Sequence, residues 1–315
     1  MKYLIITSGS GKNFYQLKNL IDSLQTNGKY TGEIAICDNA IEGTWNKPGT
    51  WSKLPSFSEE QNSYFKKNGV QVFTLQNLIT ENGLDEQVIK NIKSPTQRYP
   101  HKFIYNTLIS KKYLGKVDKI IYFDSDVYFQ APTEPLWQQI EFGKIVIVKE
   151  WLKMNEGIFL NKWLKFSDFS KLSSQKDYEK TMLPADNFCS GMYGADSQTF
   201  HRFNLMALLL TSNQFINFFS DQPLVNILKT YFKYPFKEIS FEYCLHLGEL
   251  SRDNYLIGNG KFVVQNKVPI SVHFNSNKYN ELEAVINNSP LPTIKNRTVL
   301  NRIKDKLLFI LKKLR

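Results

Sequence analysis

The sequence predicts an α/β fold: a mostly parallel central sheet flanked by helices. Three observations predict it. Short continuous apolar runs recur, at Lys2–Thr7, Glu33–Cys37, Val70–Phe73, Ile120–Phe123 and Lys144–Val148, as in buried strands. Segments with helical spacing separate several of them. The chain also opens with a strand, a helix and a second strand in succession, the start typical of nucleotide-binding sheets. Its 315 residues fit one large α/β domain with an appendage, and a hydrophobic content of 42% excludes global disorder.

The elements follow in order. After the first strand, Ser8-Gly9-Ser10-Gly11 makes a flexible turn that matches neither the Gly-x-Gly-x-x-Gly fingerprint nor a phosphate loop. Phe14, Leu17, Leu20, Ile21 and Leu24 define a helix that Asn27-Gly28 closes. The second strand ends in Asp38-Asn39, and 41–57, with Trp45 and Trp51, reads as a long binding or lid loop. Arg98 to Leu114 is a helix. Thr133 is a good N-cap for a helix with Pro135 in its first turn. Residues 150–185 read as irregular. Phe188–Ala195 is extended around Ser190-Gly191, and Asp196 or Ser197 caps the helix that follows. Ser220-Asp221 caps a helix over Gln222–Tyr231, and Lys267–Phe274 is a last β-like run.

Charge and cysteines narrow the class. The formal net charge of +11 suits nucleic acid, an anionic membrane or a phosphorylated substrate. Between Arg297 and Arg315 seven basic residues stand against one acid, so this tail carries +6 of the total. Val299, Leu300, Ile303, Leu307, Leu311 and Leu314 recur there at helical spacing, the pattern of a basic amphipathic helix on an anionic membrane surface. A docked terminal helix or a partner-binding helix has the same pattern. The body then holds little excess charge, and no nucleic-acid motif is present. Three distant cysteines suggest neither disulfides nor a thiolate zinc site and fit a reducing cytoplasm. No signal peptide is evident, and no apolar run is long enough to span a bilayer.

The chemistry concentrates in Ile120-Ile121-Tyr122-Phe123-Asp124-Ser125-Asp126-Val127. A buried strand cannot hold two unpaired carboxylates, so Asp124 and Asp126 are expected where the strand leaves the sheet. Carboxylates one residue apart can grip a hard divalent cation, and the cation can hold a diphosphate. A solvated turn after a strand is the bland alternative.

Order and spacing add specificity. Asn13-Phe14-Tyr15 with Ser23-Leu24, Cys37-Asp38-Asn39-Ala40-Ile41, Lys116 to Val127, Pro135-Leu136-Trp137 and Asp221-Gln222 through Asn226 occur in sequence. This set resembles the retaining sugar-nucleotide transferases of glycosyltransferase family 8, of the kind that build bacterial surface glycans, over most of residues 1–278. The resemblance implies a GT-A fold in 1–278 and leaves 279–315 as a C-terminal extension bearing the amphipathic helix. It implies Asp124, Asp126 and His273 as ligands of Mn²⁺ or Mg²⁺, and Thr7, Ser8, Asn13, Asp38, Ser125 and Lys278 around the nucleotide. It places Gln222, beside Asp221, beneath the anomeric carbon, where a carboxamide steadies an oxocarbenium-like centre during front-face attack. The implied partners are a sugar nucleotide, a UDP-sugar above others, and a glycan or lipid-linked glycan of lipopolysaccharide or capsule. With the basic tail and the cysteine usage, the expected location is cytoplasmic, peripheral on the inner face of the cytoplasmic membrane.

The chain departs from the family pattern in places. Gly and Ser replace an aspartate in the first loop, and Cys189 replaces an Asn before Ser190-Gly191. The basic residue of the helix before Asp-x-Asp falls near Thr107, with Lys102 or Arg98 as substitutes. His273 is followed by Lys278 without the Pro-Trp ending. Three other readings compete. An inverting GT-A transferase needs a carboxylate base, for which Asp186, Glu156 and Asp196 are available. A haloacid-dehalogenase-type phosphatase would carry its Asp-x-Asp near the first strand, and Tyr128 and the mid-chain position argue against it. The third is a non-enzymatic membrane-surface binding protein with a decayed metal site.

Overall fold

The computed structural model describes residues 1–40, 55–84, 101–154, 174–212, 221–248, 250, 254–274 and 279–286. Trp45, Trp51, Arg98, Glu156, Lys278 and the tail 297–315 lie outside them. The central sheet has seven strands in the order β3-β2-β1-β4-β7-β6-β8. These are β1 (Tyr3–Gly9), β2 (Glu33–Asp38), β3 (Val70–Thr74), β4 (Lys119–Phe123), β6 (Ile145–Lys153), β7 (Asp186–Asp196) and β8 (Phe236–Ile239). Neighbours are parallel except where β7 runs antiparallel to both β4 and β6.

The apolar runs are continuous because both faces of this sheet are covered. Leu4, Ile6, Ile120, Tyr122, Ile145 and Ile147 pack on one side with helices His101–Tyr113, Ser197–Ser212 and Asp221–Thr230. Ile5, Ile121, Phe123, Val146 and Val148 pack on the other with helices Phe14–Thr26, Glu59–Lys67 and Glu134–Gln138. Successive residues alternate between the two cores, as the period of a strand requires. Trp137, from the short helix after the aspartates, stacks on Tyr3 with centroids 4.5 Å apart and is fully buried.

Two smaller sheets sit beside this layer. One orders β5 (Val127–Phe129), β12 (Ser271–His273) and β9 (Leu245–His246) as β5-β12-β9. The other pairs β10 (Leu256–Gly258) with β11 (Lys261–Val263). Helix Tyr279–Ile286 covers their shared core, burying Leu282 and Val285 against Leu245, Val272 and Phe274.

Several local expectations change. Thr133 precedes its helix, but its hydroxyl donates to the Gly28 carbonyl at 3.3 Å instead of capping. Asp196 caps the following helix, accepting from the Thr199 amide at 3.0 Å. The span 150–185 holds the end of β6 and the helix Gln175–Met182, whose polar sequence hid its spacing. Among the described residues, no helix is long and apolar enough to cross a membrane.

Candidate active site

β4 ends at Phe123, and the Asp124 amide then donates to the Gly191 carbonyl of β7 at 2.8 Å. Asp124-Ser125-Asp126 forms the turn out of the main sheet, as a pair of charges after a doubly buried strand must. The next three residues, β5, join the small sheet. There His273 lies opposite Val127 on one side and His246 on the other. That register brings His273 Nε2 to 3.1 Å from Asp126 Oδ1 and 3.6 Å from Asp124 Oδ2. The Phe274 amide donates to the Asp126 carbonyl at 3.1 Å and fixes the crossing.

One ligand atom each from Asp124, Asp126 and His273 lies within 4.8 Å of the others. Two carboxylates and an imidazole form a donor set suited to Mn²⁺ or Mg²⁺. The backbone around them is fitted to the cradle. A Cβ on Gly191 would strike the His273 ring and stand 3.0 Å from Asp124 Oδ2, so only glycine lets β7 pass so close. Burial opposes protonation of His273, but Asp126 and then Asp124 outweigh it and raise its pKa.

Lys102 ties this cluster to the helix bearing Gln222. Its ammonium lies 2.9 Å from Asp124 Oδ1, donates to the Ser190 carbonyl at 3.1 Å and pairs with Asp221. The lysine is buried, and it sits over the Tyr122 ring at 4.6 Å. Burial alone would lower its pKa; Asp124 and Asp221 reverse that and hold it protonated. Tyr122 donates to Asp124 Oδ1 at 2.6 Å. Lys102 and Tyr122 thus engage one oxygen of Asp124, and Oδ2 is the one facing His273. The structure places a basic residue in this helix at Lys102, one of the two substitutes expected for the family position near Thr107.

Asp221 opens its helix, but its carboxylate pairs with Lys102. Gln222 Nε2 donates to Asn187 Oδ1 at 3.3 Å, and Asn226 Nδ2 donates to the same oxygen at 3.0 Å. Asn187 in turn donates to buried Glu150, whose other oxygen lies 3.3 Å from His246 Nδ1. Asn187 thus ties the Gln222 amide nitrogen to β7. Glu150, Asn187 and His246 were not singled out in the sequence. An acid two residues after the apolar run Lys144–Val148 is the signal that could have found Glu150. Irregular β6–β7 pairing between Lys149 and Lys153 accompanies its inward aim.

The nucleotide-side residues divide. Ser8 Oγ meets Tyr105 at 2.5 Å, and Tyr105 meets Tyr122 at 3.2 Å, a relay that ends on Asp124. Asn13 donates to Gln16 Oε1 at 2.9 Å, which Ser125 Oγ approaches at 3.4 Å. Thr7 is fully buried, and its hydroxyl meets no partner among the described residues. Asp38 accepts from the Ala40 amide at 3.0 Å and the Phe57 amide at 3.1 Å, clipping the two ends of 41–56 together. Lys278 lies outside the described residues.

The family model described as glycosyl transferase family 8 matches residues 20–278. Mouse xyloside xylosyltransferase 1, in its apo form, superposes with a TM-score of 0.55 at 13% identity, over 88% of this chain and 98% of that one. The apo structure of the bifunctional glycosyltransferase WbbM gives 0.55 at 13% identity, over 92% of this chain and half of that one. At such identity the likeness is one of fold. No curated protein matches the chain.

Proposed function

The chain belongs to glycosyl transferase family 8 and is a glycosyltransferase with the GT-A fold; from that premise we propose a reaction, a donor and an acceptor. It moves a hexose from a UDP-sugar to a glycan of lipopolysaccharide or capsule, with retention at the anomeric carbon. The observation that carries this reading is the meeting of Asp124, Asp126 and His273 at a glycine-lined wall, joined through Lys102 to the helix bearing Gln222.

Asp124, Asp126 and His273 hold Mn²⁺ or Mg²⁺. When bound, that cation supplies Lewis acidity toward the diphosphate of the donor. Lys102 pairs with Asp124 and Asp221, and with Tyr122 it fixes the Asp124 carboxylate. Asn187 pins the Gln222 amide nitrogen, so the Gln222 oxygen presents its partial negative charge to the cationic anomeric centre. Ser8, Asn13 and Ser125 line the nucleotide side, and Lys278 adds a positive charge to it. Water is kept from the floor by Cys189, Ser190 and Gly191, each buried or backbone-packed in β7.

The carboxylates considered for an inverting base are committed elsewhere where they are described. Asp196 accepts from the Gly143 and Thr199 amides, and Asp186 pairs with Lys149 at 2.8 Å. This supports retention. Residues 1–278 carry catalysis. The extension 279–315 begins with the docked helix Tyr279–Ile286, and its basic end rests on the anionic inner face of the cytoplasmic membrane.

The test is a panel of sugar nucleotides with Mn²⁺, with and without chelator, scoring nucleotide release and then the product anomer. A UDP-hexose turned over only with metal, giving a product of unchanged configuration, is expected. Metal-independent turnover, or inversion, defeats the corresponding part. Removing residues 297–315 is expected to release the protein from anionic vesicles while sparing donor hydrolysis.

A further inference from the structure

Behind the carboxylate cluster lies a second set of ligands. Cys189, His246 and His273 each offer an atom within 4.8 Å of the others, and all three are buried. His273 belongs to both sets. Its Nε2 faces Asp124 and Asp126, while its Nδ1 lies 3.5 Å from Cys189 Sγ. We propose that Cys189, His246 and His273 form a zinc site that shares His273 with the hard-cation site and disables that site when filled.

The geometry suits zinc. With Zn–S of about 2.3 Å and Zn–N of about 2.0 Å, a tetrahedral S···N edge is about 3.5 Å. The Cys189–His273 separation equals that edge. A thiolate and two imidazoles are soft and borderline donors, unlike the carboxylates in front. Metal-bound imidazoles usually give their other N–H to a carboxylate, and Glu150 Oε1 stands 3.3 Å from His246 Nδ1, near enough to take that proton once a metal orients the ring. A proton on Nδ1 leaves His246 Nε2 for the metal. Three protein ligands leave a fourth position open for water.

Exclusion between the sites follows from the ring. A neutral imidazole has one lone pair. The front cation takes it at Nε2, and the Nδ1 proton then points at Cys189. Zinc takes it at Nδ1, with the Cys189 proton released to solvent, and the Nε2 proton then points at Asp126. One tautomer serves one site, so zinc bound behind removes the third ligand from the front.

The test uses the whole chain, metal-free, with Co²⁺ and Zn²⁺ as probes. The binding arm needs no enzymatic activity. The inhibition arm rests on the proposed metal-dependent transferase and is scored against each variant's own Mn²⁺-supported rate. Wild type is expected to give a cobalt–thiolate charge-transfer band and to bind zinc at least tenfold more tightly than Cys189→Ser. Zinc is expected to inhibit wild type at concentrations at least tenfold below those needed for Cys189→Ser. Unfolding curves of the apo variants check that Cys189→Ser is folded, and Cys189→Ala is the second variant. No thiolate band in wild type, or equal zinc affinity in wild type and folded Cys189→Ser or Cys189→Ala, overturns the site. Equal inhibition of wild type and variant overturns the sharing of His273. A thiolate band without Mn²⁺-dependent turnover of any donor supports the zinc site and counts only against the proposed function.

Discussion

Removing the Lys102 ammonium while keeping the bulk of its side chain, as in Lys102→Met, probes the tie between the metal cluster and the Gln222 helix. Lys102 and Asp221 are 5% and 7% exposed, whereas Asp124 is 29% exposed. The loss therefore falls mainly on Asp221, which is left a buried, uncompensated charge. Breaking one partner of a buried pair costs about 3–5 kcal/mol. For a domain of this size each kcal/mol lowers the melting temperature by about 2–4 °C, so a drop of about 6–20 °C is expected. Urea unfolding in chelator measures it without interference from bound metal. The double variant Lys102→Met with Asp221→Asn removes the orphaned charge and is expected to be more stable than Lys102→Met alone, with a coupling of about 1–3 kcal/mol. A single variant within about 1 kcal/mol of wild type, or a double variant no more stable than the single, would refute the reasoning.

Three further outcomes are expected. Gly191→Ala forces a methyl group against His273 and Asp124; about 1–3 kcal/mol of stability and most Mn²⁺ affinity are lost, read by unfolding and by metal titration. Asp38→Asn keeps one acceptor for two amides and loses about 1–3 kcal/mol with little change in donor KM; a raised KM at unchanged stability would make Asp38 a nucleotide contact instead. The raised pKa of His273 gives chelated protein a pH dependence. Its contribution is fully present below about pH 6.5, the unfolded value, and is lost as pH rises through the folded value. His273→Ala is expected to flatten that fall in stability above pH 6.5, measured by urea unfolding across pH.

The sequence carried the main sheet well, because doubly buried strands leave continuous apolar runs and both layers of helices keep their spacing. It also placed Asp124 and Asp126 at the exit of β4, since two charges cannot remain inside such a strand. Local patterns carried less where partners are distant. β5, β9, β10 and β11 are two or three residues long, too short to show a period. β5 and β9 exist by pairing with β12, which lies farther along the chain; β10 and β11 pair with each other across Asn259-Gly260, a local hairpin turn that the sequence did offer. Glu150 and Asn187 hold Gln222 only because β6 and β7 are neighbours, a fact of topology. Asp38 shows what a strand-end carboxylate does that local sequence hides: its oxygens meet the backbone amides of Ala40 and Phe57, the second of them 19 residues away.

The pairing of β12 with β5 also orders events during synthesis. Asp124 and Asp126 leave the ribosome roughly 150 residues before His273, a delay of roughly 7–30 s at ~5–20 residues per second. In that interval β1, β2, β3 and β4 can zip together, with the two carboxylates already at the edge of the nascent sheet. The third ligand arrives only when Ser271–His273 slides in between β5 and β9. A ribosome-bound chain halted before residue 271 therefore displays the acidic pair without the histidine that completes it. Cation binding by arrested chains of increasing length should sharpen abruptly once β12 has cleared the exit tunnel.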